Sequence, residues 1–258
     1  MELPVEVDAK KRLRVKVPRD ASPVMLDRFA EELRTCVTAE GLPVALDCGE
    51  LEQVSSCHIN ILWLAHQICQ DTGAELWLSR VSPGMRRVLS VLDLAGLFRY
   101  EEAAVSTEIP ADLPADTANV FTDRFPSDRE GVNRALDRFL DFLSRISAPQ
   151  VDAYELRIVF YEVVTNIQNH AHVEKTELIT FTATTTPKQV VMNFTDCGVE
   201  FDVTTFSYDL DFVGAAKERR KRGLGIAMIN RLSDCISYTR TEDGVNVLTI
   251  EKNWSHKR

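Results

Sequence analysis

The stretch from Glu101 to Asn119, EEAAVSTEIPADLPADTAN, divides this chain more firmly than any other feature. It is rich in Ala, Pro, Asp, Glu and Thr and has almost no large apolar side chains. It cannot contribute to a packed core and reads as a linker. Cutting a chain of 258 residues there leaves two segments, each long enough to bury its own core. The expected organisation is a first domain over residues 1–102, a linker over 103–119 and a second domain over 120–258. There is no internal repeat and no other low-complexity segment.

Before the linker, strand and helix patterns alternate. Leu13–Val17 alternates apolar and charged residues, as a half-buried strand does. Met25, Leu26, Phe29, Leu33 and Val37 recur at helical spacing within Pro23–Ala39. The strand Val44–Asp47, the helix His58–Asp71, the strand Ala74–Leu78 and the helix Pro83–Leu92 follow, the last with Ser82 as N-cap and Pro83 at its first position. This order predicts an α/β domain with helices packed on a sheet.

After the linker the order changes. Two long helices, Asp128–Ile146 and Asp152–Ala171, precede the strands Glu177–Thr185 and Gln189–Thr195. A polar segment, Val203–Arg222, leads into the helix Leu224–Leu232. The strands Cys235–Thr241 and Val245–Glu251 close the domain across Asp243-Gly244, a strong hairpin signal. Helices gathered against a largely antiparallel sheet predict an α+β sandwich, so the whole is a two-domain α/β chain.

A net charge of −9 argues against a nucleic-acid binder, which would carry a basic face. No apolar run reaches the length of a membrane span, and the N-terminus lacks a signal-peptide core. The expectation is a cytoplasmic protein with no membrane and no nucleic-acid partner. The six cysteines are scattered without a CxxC pair, which predicts reduced, mostly buried thiols.

Three short motifs carry chemistry. Glu162, Asn166 and His170 stand four residues apart on a helix and so share one face. Glu162 could accept a proton from an attacking hydroxyl, and the Asn166 carbonyl could hold a hard cation that keeps water and phosphate oxygens. The same spacing also suits an ordinary solvated face. Asp196-Cys197-Gly198 ends a strand: a carboxylate there can accept from an exocyclic amine, while Asp-x-Gly is also a common turn. Gly223-Leu224-Gly225, preceded by Lys221-Arg222, puts a flexible turn and basic side chains before a helix N-terminus, a sensible phosphate site. It is not a Walker A loop, because no G-K-[ST] follows.

Together these motifs make residues 120–258 resemble the GHKL ATPase superfamily, and within it the small serine kinases that act as bacterial anti-sigma factors. E-x-x-x-N-x-x-x-H matches Glu162, Asn166 and His170; D-x-G-x-x-F-D matches Asp196, Gly198, Phe201 and Asp202; G-[LM]-G followed by an apolar helix and D matches Gly223, Leu224, Gly225 and Asp234. A terminal G-x-N matches Gly244 and Asn246. The resemblance implies ATP and Mg2+ as cofactors, Glu162 as general base, Asn166 as Mg2+ ligand and Asp196 as adenine reader. His170, Gly198, Lys221, Arg222, Gly223, Leu224, Gly225 and Asn246 would complete the nucleotide site. A homodimer is also implied.

Residues 43–98 resemble a STAS domain, the anti-sigma-factor antagonist fold, on Ser82-Pro83, Arg86, Leu89, Leu94 and Leu97-Phe98. The family's phosphoacceptor serine corresponds to Ser55, with Ser56 beside it. Two flanks depart from the family's D-S-S-G: Val54 stands for the aspartate and Cys57 for the glycine. His58 and His66 read as surface or satisfied histidines, not ligands. The combined resemblance implies a partner-switching regulator, a protein serine kinase acting on a STAS domain, with a STAS protein or sigma factor as partner and a metal-dependent serine phosphatase in its pathway. The alternative is a module that binds ATP without transferring phosphate, its STAS half serving only to dock partners.

Overall fold

The computed structural model describes residues 5–19, 21, 23–51, 54–101, 119–171, 178–206 and 224–255. The chain forms two compact units, each built on its own five-stranded sheet, and is an α/β protein of two domains.

In the first unit the elements run β1 (Val5–Val7), β2 (Leu13–Lys16), α1 (Pro23–Glu40), β3 (Val44–Asp47), α2 (Ser56–Thr72), β4 (Leu76–Ser79), α3 (Pro83–Val91), a 3-10 turn (Ala95–Leu97) and β5 (Arg99–Tyr100). The sheet order is β1-β2-β3-β4-β5, parallel except for the antiparallel β1–β2 pair. β3 is buried at all four positions, as a central parallel strand is. Leu26, Phe29, Leu33 and Val37 of α1 and Ile59, Leu62, Ala65 and Ile68 of α2 are all buried, so the helical spacing read from sequence marks the core face. Ser82 caps α3 by accepting from Met85 N–H at 3.2 Å. The sequence reading passed over β1 and β5, which are edge strands of three and two residues; so short a run carries no period.

The second unit runs β6 (Asn119–Pro126), α4 (Arg129–Arg145), α5 (Gln150–Asn166), a π-helical turn (Ile167–Ala171), β7 (Leu178–Thr185), β8 (Gln189–Asp196), a 3-10 turn (Val203–Thr205), α6 (Leu224–Leu232), β9 (Cys235–Arg240) and β10 (Asn246–Asn253). Its sheet is wholly antiparallel in the order β6-β7-β8-β10-β9. Alternate residues of β7 and β8 point into the core, where Phe125, Phe139, Phe160, Phe181 and Phe194 meet edge to face or tilted. β6 is a correction to the sequence reading, which began this unit with a helix and placed Asn119 in the linker. Asn119 instead pairs with Thr185 across the sheet. β6 is an edge strand with Val120 at 62 % exposure, so its apolar pattern is diluted.

Polar clamps fix α5, the helix that carries the first motif. Asp152 in its first turn accepts from Ser255 N–H at 2.8 Å and Ser255 Oγ at 2.7 Å. Buried Lys252 on β10 pairs with buried Glu155 at 2.5 Å and donates to Leu232 O of α6 at 3.1 Å. Breaking one partner of such a pair strands a buried charge, so α5, α6 and β10 are held in one register.

Candidate functional site

The last turns of α5 bring Glu162 and Asn166 to one side of the helix. Glu162 is buried at 3 % exposure although carboxylates are rarely buried without a purpose. Its carboxylate lies against Gly225 in the first turn of α6: a Cβ built on Gly225 would overlap Glu162 Oε2. A helix N-terminus favours a carboxylate, and only glycine leaves it room. Gly225, which the sequence assigns to the nucleotide site, also makes space for Glu162.

Asn166 ends the regular part of α5, and its Nδ2 is buried with no hydrogen-bond partner among the described residues. An orphaned buried amide is costly in a folded protein unless a ligand or water meets it. Beyond it the helix widens into the π turn Ile167–Ala171, a distortion found often at functional sites. Gln168 Nε2 donates to Ser127 O, and Ala171 O accepts from Val199 N–H at 2.8 Å, tying the turn to the loop after β8. The π turn also carries His170 off the α-helical period assumed from sequence. His170 is exposed and stacks on Phe201 with ring centroids 4.3 Å apart and planes 12° from parallel.

Asp196 is the last residue of β8 and 5 % exposed. Its Oδ1 accepts from Gly198 N–H at 2.8 Å, the Asp-x-Gly turn expected, and from Asn246 Nδ2 at 2.9 Å. Asn246 opens β10 and pairs in register with Asp196 on one side and Arg240 on the other. Its own Oδ1 accepts from Tyr238 Oη at 2.7 Å and from Arg240 Nη1, which also donates to Gly198 O at 3.1 Å. Burial pushes the Tyr238 hydroxyl's pKa up, so it keeps its proton and donates. Tyr238 and Arg240 are residues the sequence reading missed. The available signal was period two: positions 238 and 240 share a strand face beside Asn246.

Asn166, Asp196, Tyr238 and Asn246 line one pocket whose other walls include Val163, Ile167, Phe201 and Leu248. Apolar walls with a few convergent polar groups are the usual make-up of a small-molecule site. Lys221, Arg222 and Gly223, together with most of the polar segment Val203–Arg222, lie outside the described residues; Leu224 opens α6. No group of three or more His, Cys, Asp or Glu that could hold a metal occurs among the described residues.

In the first unit Ser55 is the N-cap of α2 and Ser56 its first residue. Ser55 N–H donates to His58 Nδ1 at 3.1 Å, and the Ser55 hydroxyl stands 2.9 Å from the same nitrogen. His58 Nε2 faces Pro18 O and Arg19 O, both at 3.1 Å, which fixes Nδ1 as the acceptor. His58 is therefore a satisfied histidine, as its sequence context suggests.

Residues 125–252 match the family model of the histidine kinase-like ATPase domain. The second unit is similar to those domains. The match leaves residues 1–124 outside it. No curated protein matches the chain. Among solved structures, a chain in the crystal structure of the SiaB-SiaC complex from Pseudomonas aeruginosa is 18 % identical with a TM-score of 0.42, over 51 % of this chain and 88 % of that one. Likeness at that level is weak and says nothing of function.

Proposed function

We propose that the chain is an ATP-dependent partner-switching regulator, and specifically a protein serine kinase of the anti-sigma type that transfers the γ-phosphoryl group of ATP to a serine of a STAS domain. The observation that carries this reading is the pocket that joins the orphaned Asn166 amide to the Asp196 carboxylate, with buried Glu162 one turn earlier on α5, within the segment that matches the ATPase family. Asp196 would receive the exocyclic amine of adenine, with Val163, Ile167 and Leu248 against the base. The Asn166 side-chain carbonyl oxygen would be one protein ligand of Mg2+, an ion that takes its remaining oxygens from phosphate and water, and the orphaned Nδ2 would donate to the nucleotide or its water. ATP supplies the phosphoryl group, and Mg2+ neutralises its charge. Glu162 takes the proton of the attacking hydroxyl, and the missing side chain of Gly225 leaves its carboxylate room.

The partner in this reading is a STAS-domain protein or a sigma factor, and a metal-dependent serine phosphatase would reverse the modification. We read the first unit, with four strands parallel and Ser55 at the N-cap of α2, as a STAS domain. A second reading has one observation in its favour. The Ser55 hydroxyl is already engaged by His58 and flanked by buried Val54, which suits a docking domain whose serine is not an acceptor.

Incubation with Mg-ATP, alone and with STAS-domain partners, followed by phosphoserine mapping, tests both. Phosphate on a partner serine, lost in Glu162→Gln and reduced in Gly225→Ala with ATP still bound, is the expected result. ATP binding with no phosphoserine on any protein overturns the kinase reading in favour of the second.

A further inference from the structure

The hydrogen bonds around Asn246 have a direction, and that direction bears on which base the pocket accepts. Asn246 Oδ1 meets two donors, the Tyr238 hydroxyl and the Arg240 guanidinium. A carboxamide has one acceptor end and one donor end, so two donors at the oxygen leave the NH2 facing Asp196. There Nδ2 donates to Asp196 Oδ1 at 2.9 Å, beside the Gly198 N–H at 2.8 Å. Asp196 Oδ1 thus accepts from two N–H groups. Reversing the Asn246 amide would set oxygen against oxygen.

We propose that Tyr238 and Arg240 are positioning residues for base selectivity: by fixing the Asn246 amide they hold Asp196 in the orientation that accepts a 6-amino group and rejects a 6-oxo group. The inference rests on the ATP-site reading above and extends it to two side chains on β9. The geometry suits a selective element. Asp196, Asn246 and Arg240 are direct cross-strand neighbours on β8, β10 and β9, so rigid sheet, not loop, sets their spacing. Arg240 also donates to Gly198 O at 3.1 Å and Asn246 Nδ2 lies 3.3 Å from Val199 O, which anchors the turn that follows the reader. A site built around a hydrogen bond rejects the analogue that cannot make it far more strongly than an apolar pocket rejects a shape.

The probes are ATP and ITP, which differ in the 6-amino or 6-oxo group and in the N1 proton that accompanies the oxo form. Their affinities are measured by calorimetry on the full chain, with thermal unfolding of each variant as control. Wild type is expected to favour ATP by at least about tenfold. Asn246→Asp replaces the donor by an oxygen and is expected to lower that ratio about tenfold or more. The double variant Tyr238→Phe/Arg240→Met, at half-buried and exposed positions, removes both donors that hold Asn246 Oδ1 and is expected to lower the ratio while ITP affinity stays within about threefold. This variant decides the matter if Asn246→Asp unfolds. An unchanged ratio in a folded double variant overturns the inference and leaves the ATP site standing, as does equal binding of ATP and ITP by wild type. Binding of neither nucleotide by wild type overturns both.

Discussion

The tripeptide Asp-Cys-Gly occurs twice in this chain, once in each unit, and the two copies have opposite fates. Asp47-Cys48-Gly49 ends β3 and Asp196-Cys197-Gly198 ends β8. Both aspartates are buried, at 3 % and 5 % exposure, and both accept from the glycine two residues on, at 3.0 and 2.8 Å. Locally they are the same strand-ending turn. What differs is the partner that tertiary structure brings. Asp47 meets Arg80, whose Nε donates to Oδ1 at 2.6 Å and whose Nη2 donates to Oδ2. Asp196 meets the neutral amide of Asn246. A bidentate guanidinium satisfies a carboxylate and cancels its charge; an amide orients a carboxylate without neutralising it. The same three residues make an internal brace in one unit and a candidate reader in the other.

Removing each carboxylate should separate the roles. Asp196→Asn is expected to cost about 100-fold or more in ATP affinity, with little effect on unfolding of the first unit. Asp47→Asn is expected to leave ATP affinity within about twofold. It should destabilise the first unit by about 2–3 kcal/mol, since Arg80 loses a charged partner whose other end is buried. Calorimetric titration and denaturant unfolding of the full chain read the two effects. Equal loss of ATP affinity in both variants would break the comparison.

Gly49 offers a gentler route to the same brace. A Cβ at Gly49 would fall within 2.5–2.9 Å of three Arg80 guanidinium atoms. Gly49→Ala is therefore expected to push Arg80 off Asp47 and cost about 1–2 kcal/mol of stability, less than Asp47→Asn, because the exposed guanidinium can find water. Destabilisation as large as that of Asp47→Asn would mean the backbone turn, not the ion pair, holds β3.

Little of this difference was legible in the sequence. Helices and strands with strong periods were read to within a few residues: Val44–Asp47 and Leu224–Leu232 coincide with β3 and α6. Glu162, Asn166, Asp196 and Asn246 were singled out on spacing and family resemblance, and the structure brings the last three to one pocket. Edge strands β1, β5 and β6 escaped because short or exposed strands lack a buried face to show a period. The π turn escaped because it breaks the 3.6-residue repeat that such reading assumes. The contact of Gly225 with Glu162 escaped because a glycine's reason lies in what packs on it. Arg80 escaped because it acts through a residue distant in sequence, and Tyr238 and Arg240 because only strand register pairs them with Asn246.

Acid should also test the brace on Asp47. Burial works against the Asp47 charge, but the Arg80 hydrogen bonds, the Gly49 N–H and the nearby Arg14 outweigh it and hold the Asp47 pKa below the ordinary carboxylate value of 3.8. A carboxyl whose pKa is depressed on folding stabilises the protein at pH above its unfolded value, and that contribution is lost as pH falls through its folded value. The first unit of wild type is expected to lose stability as pH drops below about 4. In Asp47→Asn that part of the acid slope should be missing. Parallel slopes in the two proteins, measured by denaturant unfolding between pH 6 and 3, would remove Arg80 as the cause.

The middle residue of each tripeptide gives the smallest and simplest contrast. Cys48 is 2 % exposed, and burial, with the Asp47 charge beside it, pushes its thiol pKa up to about 12. Cys197 is exposed in the turn that follows β8. Alkylation needs thiolate and access together. Iodoacetamide at pH 8 should therefore mark Cys197 in the native protein and reach Cys48 only when the first unit opens. Peptide mapping over a time course reads both sites. Loosening the Arg80 brace through Gly49→Ala should bring Cys48 labelling forward and leave Cys197 unchanged. Early labelling of Cys48 in wild type would show that β3 opens without global unfolding, and that the brace is weaker than its geometry indicates.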